Sequence, residues 1–157
     1  MTTNTTAERF ISYLTDTDKS RMEFVRESHK EHCKIYGRKT PKLASKSYDM
    51  WGAVQRDIYL MKGAKFVSCS GHGGILTSEA VNNAIDEPFK RSDYAGCGVY
   101  EEDCDFANYA AYFPKSVKNA VNKDIAVDPE TTRAYFVDMM LNYHKEDIER
   151  FLESKGY

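Results

Sequence analysis

The feature that most constrains the fold is a change of hydrophobic period at residues 65–79, KFVSCSGHGGILTSE. Residues 65–70 form a short β-compatible run that ends in Gly71-His72-Gly73-Gly74. The glycines either turn that run into a hairpin through Ile75-Leu76 or lead it into a loop. Thr77 is then placed to cap a helix over residues 78–85, and Pro88 closes that piece.

Helical spacing dominates on both sides. Residues 7–36 read as helix in two parts. Phe10, Ile11 and Leu14 open an apolar stripe, Asp16-Thr17-Asp18 either breaks it or caps a second segment, and Met22, Val25, His29, Cys33 and Tyr36 continue it to Gly37. Ser47 is placed to cap a further helix with Trp51, Val54, Ile58 and Met61 inside and Gly63 at its end. Residues 86–98 read as surface loop and residues 98–100 as a second strand. Glu101-Glu102-Asp103 suits the first turn of a helix carrying Phe106, Tyr109, Ala110 and Phe113, which Pro114 stops. Asp128-Pro129-Glu130 starts a last helix whose stripe is Val137, Leu141, His144, Ile148 and Phe151 or Leu152. The pattern predicts a helix-rich α+β fold, a single domain with a small central sheet or hairpin flanked by N- and C-terminal helices.

At 157 residues, with 11 Tyr and 8 Phe, the chain can bury one continuous core. Residues 1–6 are small and polar and read as a loose tail, leaving 7–157 as the domain. The net charge of −2 gives no bulk attraction to nucleic acid. The halves differ, however: residues 1–66 carry 13 Lys+Arg against 8 Asp+Glu, and residues 67–157 carry 9 against 16. Such asymmetry can orient a partner. With no secretory h-region, no membrane-length apolar run and no CxxC pair among its four cysteines, the chain reads as cytosolic with reduced thiols.

Chemistry has few places to sit. A glycine turn at Gly71, Gly73 and Gly74, followed by Thr77 at a helix start, is a candidate anion cradle, and His72 within it a candidate general acid or base. The Gly-Lys-Ser/Thr ending of a P-loop and the serine of a nucleophile elbow are both absent, so a plain structural turn is the competing reading. On a helix beginning near Glu101, Glu102, beside Asp103, faces inward and needs a partner, either His72 or the loop amides, for proton transfer or simply to pin the loop. His29, His32 and Cys33 have a chelating spacing, but His29 and Cys33 lie on the apolar stripe and read as packing. No spacing specifies a metal, and neither a metal nor a cofactor is expected. Lys39, Lys42 and Lys46, with Arg38, Tyr36 and Tyr48, form a basic, aromatic-edged loop. It is a candidate surface for a partner protein, with a phosphate backbone less favoured.

The paired motifs Gly71-His72-Gly73-Gly74, Ile75-Leu76-Thr77-Ser78-Glu79, Tyr100-Glu101-Glu102-Asp103-Cys104-Asp105-Phe106-Ala107 and Phe113-Pro114 together resemble an uncharacterised domain family of phages, prophages and plasmids. The resemblance spans residues 65–114. It departs at Thr77-Ser78, where the family usually has serine-proline, and at Phe106, where it usually has tryptophan. No activity is assigned to that family. The resemblance implies a mobile-element origin and a coupling of the His72 turn to the Glu102 segment. Two functions compete. One is an accessory protein that binds a host protein, for instance to inhibit an antiviral defence component. The other is a small enzyme that uses His72 with Glu102 or Asp103 on a phosphate-bearing or nucleotide-like ligand.

Overall fold

A computed structural model describes residues 6–44, 52–90 and 98–157. The chain opens with a 31-residue helix, α1 (Thr6–Tyr36), and then builds a meander of four strands: β1 (Arg56–Met61), β2 (Ala64–Ser68), β3 (Gly73–Thr77) and β4 (Val99–Glu101). All neighbours pair antiparallel in the order β1-β2-β3-β4. Between β3 and β4 lie the short helix α2 (Glu79–Asn83) and a 3₁₀ turn (Glu87–Phe89). After β4 come α3 (Phe106–Tyr112), a second 3₁₀ turn (Pro114–Val117), α4 (Pro129–Tyr143) and α5 (Lys145–Ser154). The result is the α+β domain that the change of period predicts. No helix among the described residues is long and apolar enough to cross a membrane.

Helix α3 is the centre of the core, with all seven residues buried. Such a helix is apolar all round because neighbours cover every face. Phe10 of α1, Phe89 of the 3₁₀ turn and Phe151 of α5 meet at ring separations of 5.0 to 5.5 Å, so the two ends of the chain close over the same cluster.

Several local expectations change, each for a physical reason. The first helix does not break at residues 16–18. Instead, the Asp18 carboxylate pairs with Arg133 on α4 and, at 3.6 Å, with Arg21 one turn on. The segment read as a helix before Gly63 is strand β1. Asp57 and Tyr59 face out while Leu60 is buried and Ile58 half-buried, an alternation of period two that shares only Ile58 with the helical stripe. Lys62-Gly63 closes the β1–β2 hairpin with Gly63 at φ +90°. Ser47 and Trp51 of that expected helix lie outside the described residues, as do residues 1–5 of the expected tail; Thr6 already belongs to α1.

The run does form a hairpin through Ile75-Leu76, but residues 69–72 make the turn, and glycines 73 and 74 are members of β3 opposite Ser68 and Val67. Ser78 rather than Thr77 caps α2, accepting from the Val81 N–H, while the Thr77 hydroxyl donates to the Gly98 carbonyl at 2.8 Å. In the stretch read as surface loop, Phe89 is fully buried; residues 91–97 lie outside the described residues. Glu101 ends β4 and α3 begins at Phe106, so the acidic run is a turn and not a first helical turn. The last helix starts as expected, with Asp128 accepting from the Thr131 N–H at 2.7 Å, but it bends at His144 into α5.

Arg133 is 3% exposed and bonds both the Ala111 carbonyl of α3, at 2.9 Å, and Asp18 of α1. Arg133→Met should therefore lower unfolding free energy by about 3 kcal/mol, since it leaves the Asp18 carboxylate without its strongest partner. Adding Asp18→Leu should recover part of that loss. Urea unfolding of the two variants checks it, and equal stability of single and double variants would refute the coupling.

Candidate functional site

Two places gather the polar side chains singled out by the sequence. The first is a groove of about 700 Å³. One wall is the C-terminal half of α1, with His29, His32, Cys33 and Tyr36. The other is the returning segment Arg38, Pro41, Lys42, Leu43 and Ala44, and the floor is Thr77–Glu79 with Asn82 and Gly98. Its size is that of a ligand- or peptide-holding cleft, roughly 300 to 1,000 Å³.

The groove exists because the end of α1 is tied to the sheet. Gly37, at φ +66°, reverses the chain, and Arg38 N–H returns to the Cys33 carbonyl at 2.9 Å. Ala44 N–H then bonds the Thr77 carbonyl at 2.8 Å, and Leu43 bridges Ser78. At the floor the buried His29 Nε2 lies 2.7 Å from Ser78 Oγ, which also accepts from the Val81 N–H at 3.2 Å. Gly63 seals this contact from below. A Cβ there would sit 2.6 Å from both the imidazole and the Ser78 hydroxyl. Nearer the rim, His32 Nδ1 is 3.9 Å from Glu79 Oε2. Thus His29, read from its spacing as packing, is a buried tether between α1 and the α2 cap.

The second place is the β2–β3 turn. Cys69 N–H bonds the His72 carbonyl at 2.7 Å, and His72 Nδ1 lies 3.4 Å from Glu101 Oε1. The imidazole is 44% exposed and the carboxylate 15%. Pairing of Gly74 with Glu101 across β3 and β4 brings them together. The carboxylate facing His72 is therefore Glu101; Glu102 and Asp103 are exposed on the turn beyond. Glu102 still touches the glycines. Its N–H bonds the Gly73 carbonyl at 2.9 Å, and its Oε2 would lie 2.8 Å from a Cβ on Gly73.

Gly73 and Gly74 are buried and paired on both sides within the sheet, and Gly71 alone of the three is open to solvent. Thr77 lines the groove, 1% exposed, with its hydroxyl given to Gly98. The structure thus separates Thr77 from the turn that holds His72. Of the basic loop, Lys39 is exposed and Lys42 forms part of the groove wall; Lys46 and Tyr48 lie outside the described residues.

Among the described residues, the His, Cys and acidic groups close enough to share a metal ion are Cys104, Asp105 and His144. Burial pushes the Cys104 thiol up, and Asp105 and Glu101 push it the same way, so it is a poor thiolate nucleophile. The sequence reading passed over this trio because its histidine is 40 residues away. The one available signal was His144 on the stripe of the last helix.

Burial pulls His29 below its usual range, with Lys62 and His32 adding repulsion, so folding favours the neutral ring. That contribution is complete above the ordinary imidazole pKa of about 6.5 and is lost as pH falls below it. Unfolding free energy should drop between pH about 7.5 and about 5.5, and His29→Gln should show a smaller drop than wild type. Equal drops would exclude His29 as a source.

No curated protein and no solved structure matches the chain. A family model, described as a domain of unknown function (DUF7007), matches residues 44–154, which takes in the sheet, both motif-bearing turns, α3, α4 and all of α5. The C-terminal helices, set apart in the sequence reading as an arm flanking the family-like core, thus fall within the matched span, and α1 falls outside it. With most of its length matched, the chain belongs to the DUF7007 family.

Proposed function

We propose that this protein is a small phage-type accessory module that works in the cytoplasm of a host bacterium. It docks on a host protein, and by occupying that protein it inhibits a component of antiviral defence. The observation that carries the reading is the composition of the groove. Its walls come from α1 and residues 38–43, outside the matched family span, apart from Ala44, and the floor comes from the family body at Thr77, Ser78 and Asn82. The segments outside the family span therefore supply most of the walls of this groove.

The chemistry of that wall suits an acidic, partly apolar segment of a folded partner. Ile35 is 65% and Tyr36 68% exposed at the end of α1, beside Arg38, Lys39 and Lys42. Tyrosine and arginine are among the residue types that most often dominate binding energy, and the lysines add charge at the rim. The basic excess of residues 1–66 would favour encounter with an acidic face.

A second reading, proton transfer by His72 on a phosphate-bearing ligand, is favoured by the 3.4 Å approach of Glu101. Against it, the buried glycines 73 and 74 have their backbone paired in the sheet.

The test is a tagged-protein capture from bacterial lysate, run in parallel with Tyr36→Ala/Lys42→Glu and with His72→Ala. A host protein retained at moderate salt by wild type and His72→Ala, but held about tenfold less by the groove variant, fits docking at the groove. Equal retention by the groove variant sinks it. Loss with His72→Ala alone moves the site to the β2–β3 turn.

A further inference from the structure

The joint between α4 and α5 presents a histidine to the acidic turn that follows β4. His144 is 8% exposed and adopts φ −130° and ψ 31°, neither helical nor extended, where the two helices meet. Its Nε2 lies 3.1 Å from the Cys104 carbonyl oxygen and 3.8 Å from Asp105 Oδ1. Cys104 Sγ is itself 3.8 Å from Asp105 Oδ1, and ligand-type atoms of all three residues lie within 4.8 Å of one another. Behind the ring, His144 Nδ1 is 3.6 Å from Asp147 Oδ2, and Asp147 is in turn held by Arg150 at 3.1 Å.

We infer that Cys104, Asp105 and His144 form a binding site for a divalent transition metal, with Zn²⁺ the best match, and that Asp147 orients the ligating imidazole. Thiolate, carboxylate and imidazole are the donor types zinc takes, at about 2.3 Å for sulfur and about 2.0 to 2.2 Å for nitrogen and oxygen. Around a tetrahedral ion such donors stand roughly 3.3 to 3.8 Å apart. Two of the three separations, at 3.8 Å, stand at the outer edge of that range, and the third is within 4.8 Å. A hard-cation site is a poorer match, since calcium and magnesium sites use oxygen donors throughout.

The proton accounting is direct. In the metal-free protein, Nε2–H donates to the Cys104 carbonyl. On binding, Nε2 gives its lone pair to the ion and the ring proton sits on Nδ1, facing Asp147, as in the carboxylate–histidine–zinc arrangement. The Cys104 thiol releases one proton to solvent, and water completes the fourth position. The ion would then cross-link the acidic turn between β4 and α3 to the α4–α5 joint, two segments 40 residues apart in sequence.

The experiment is metal titration of the purified full chain, stripped with chelator and returned to Zn²⁺, with bound metal counted after dialysis. Co²⁺ serves as the spectroscopic stand-in. The expected result is one equivalent of Zn²⁺, a raised melting temperature, and a Co²⁺ spectrum with a thiolate charge-transfer band and tetrahedral d–d bands. Cys104→Ala and His144→Gln should both lose that equivalent, and Asp147→Asn should weaken it about tenfold. Cys33→Ser and Cys97→Ser should bind as wild type. Cys104 is half-buried on a turn, so Cys104→Ala keeps the test decisive even if His144→Gln fails to fold. Absence of a stoichiometric ion, retention of it by Cys104→Ala, or its loss in Cys33→Ser or Cys97→Ser overturns the inference.

Discussion

The architecture hangs on a pair of buried arginines. Arg133 reaches from α4 to the Ala111 carbonyl of α3 and to Asp18 of α1, residues separated from it by 22 and 115 positions. Arg21 lies over the Tyr112 ring at 4.4 Å, donates to the Ala84 carbonyl at 2.9 Å and approaches Asp86 at 3.8 Å. Tyr112 in turn donates to Asp86 at 2.7 Å. Desolvation pulls Arg21 below its usual range, and Tyr112, Asp86 and Asp18 oppose that pull. Guanidinium groups tolerate such sites because they stay charged and bond in several directions at once. Removing them would take away the polar ties of α1 to α3, α4 and the α2–3₁₀ region together and leave α1 held by its apolar residues Phe10, Leu14 and Val25.

That network explains why α1 is continuous, and its continuity explains the groove. The helix is held at Asp18 and Arg21 near its middle and again at His29 through Ser78. Beyond His29 its last two turns approach the body through His32, 3.9 Å from Glu79, and end in exposed Ile35 and Tyr36, of which Tyr36 lines the groove with Thr77 and Ser78.

How much of this was legible follows from which signals are local. Caps are local. Asp128-Pro129 announced α4, and the glycine-rich run announced the β2–β3 hairpin, because both depend on neighbouring backbone geometry. Strand β1 was hidden because Ile58 fits a helical stripe with Met61 as well as a strand face with Leu60, and only burial decides between them. The acidic run at 101–103 looked like a helix start because the dipole rewards acids there. Sheet pairing with Gly74 instead holds Glu101 in β4 and delays α3 to Phe106. Helix α1 ran past its apparent break because Asp18 has a partner 115 residues away, which no window along the sequence contains. The trio of Cys104, Asp105 and His144 is hidden for the same reason.

The two motifs that drew attention in the sequence prove to be one structural unit, and this bears on how any site here must work. Gly74 pairs with Glu101 and Ile75 with Tyr100, so the glycine turn and the acidic turn are cross-strand neighbours. Gly73 must lack a side chain because the Val67 carbonyl and the Glu102 carboxylate both come within 2.8 Å of where a Cβ would be. Glu101 faces His72 from one end of this unit, and Cys104 and Asp105 face His144 from the other. A change of charge at the acidic turn is therefore felt by His72 through Glu101 and by the α4–α5 joint through His144. The groove wall, tethered through Ser78 one residue past β3, stands at the opposite end of the same strand. Strand β3 is thus the common element. It carries the His72 turn at its start, pairs along its length with β4, which leads into the acidic turn, and ends at the floor of the groove.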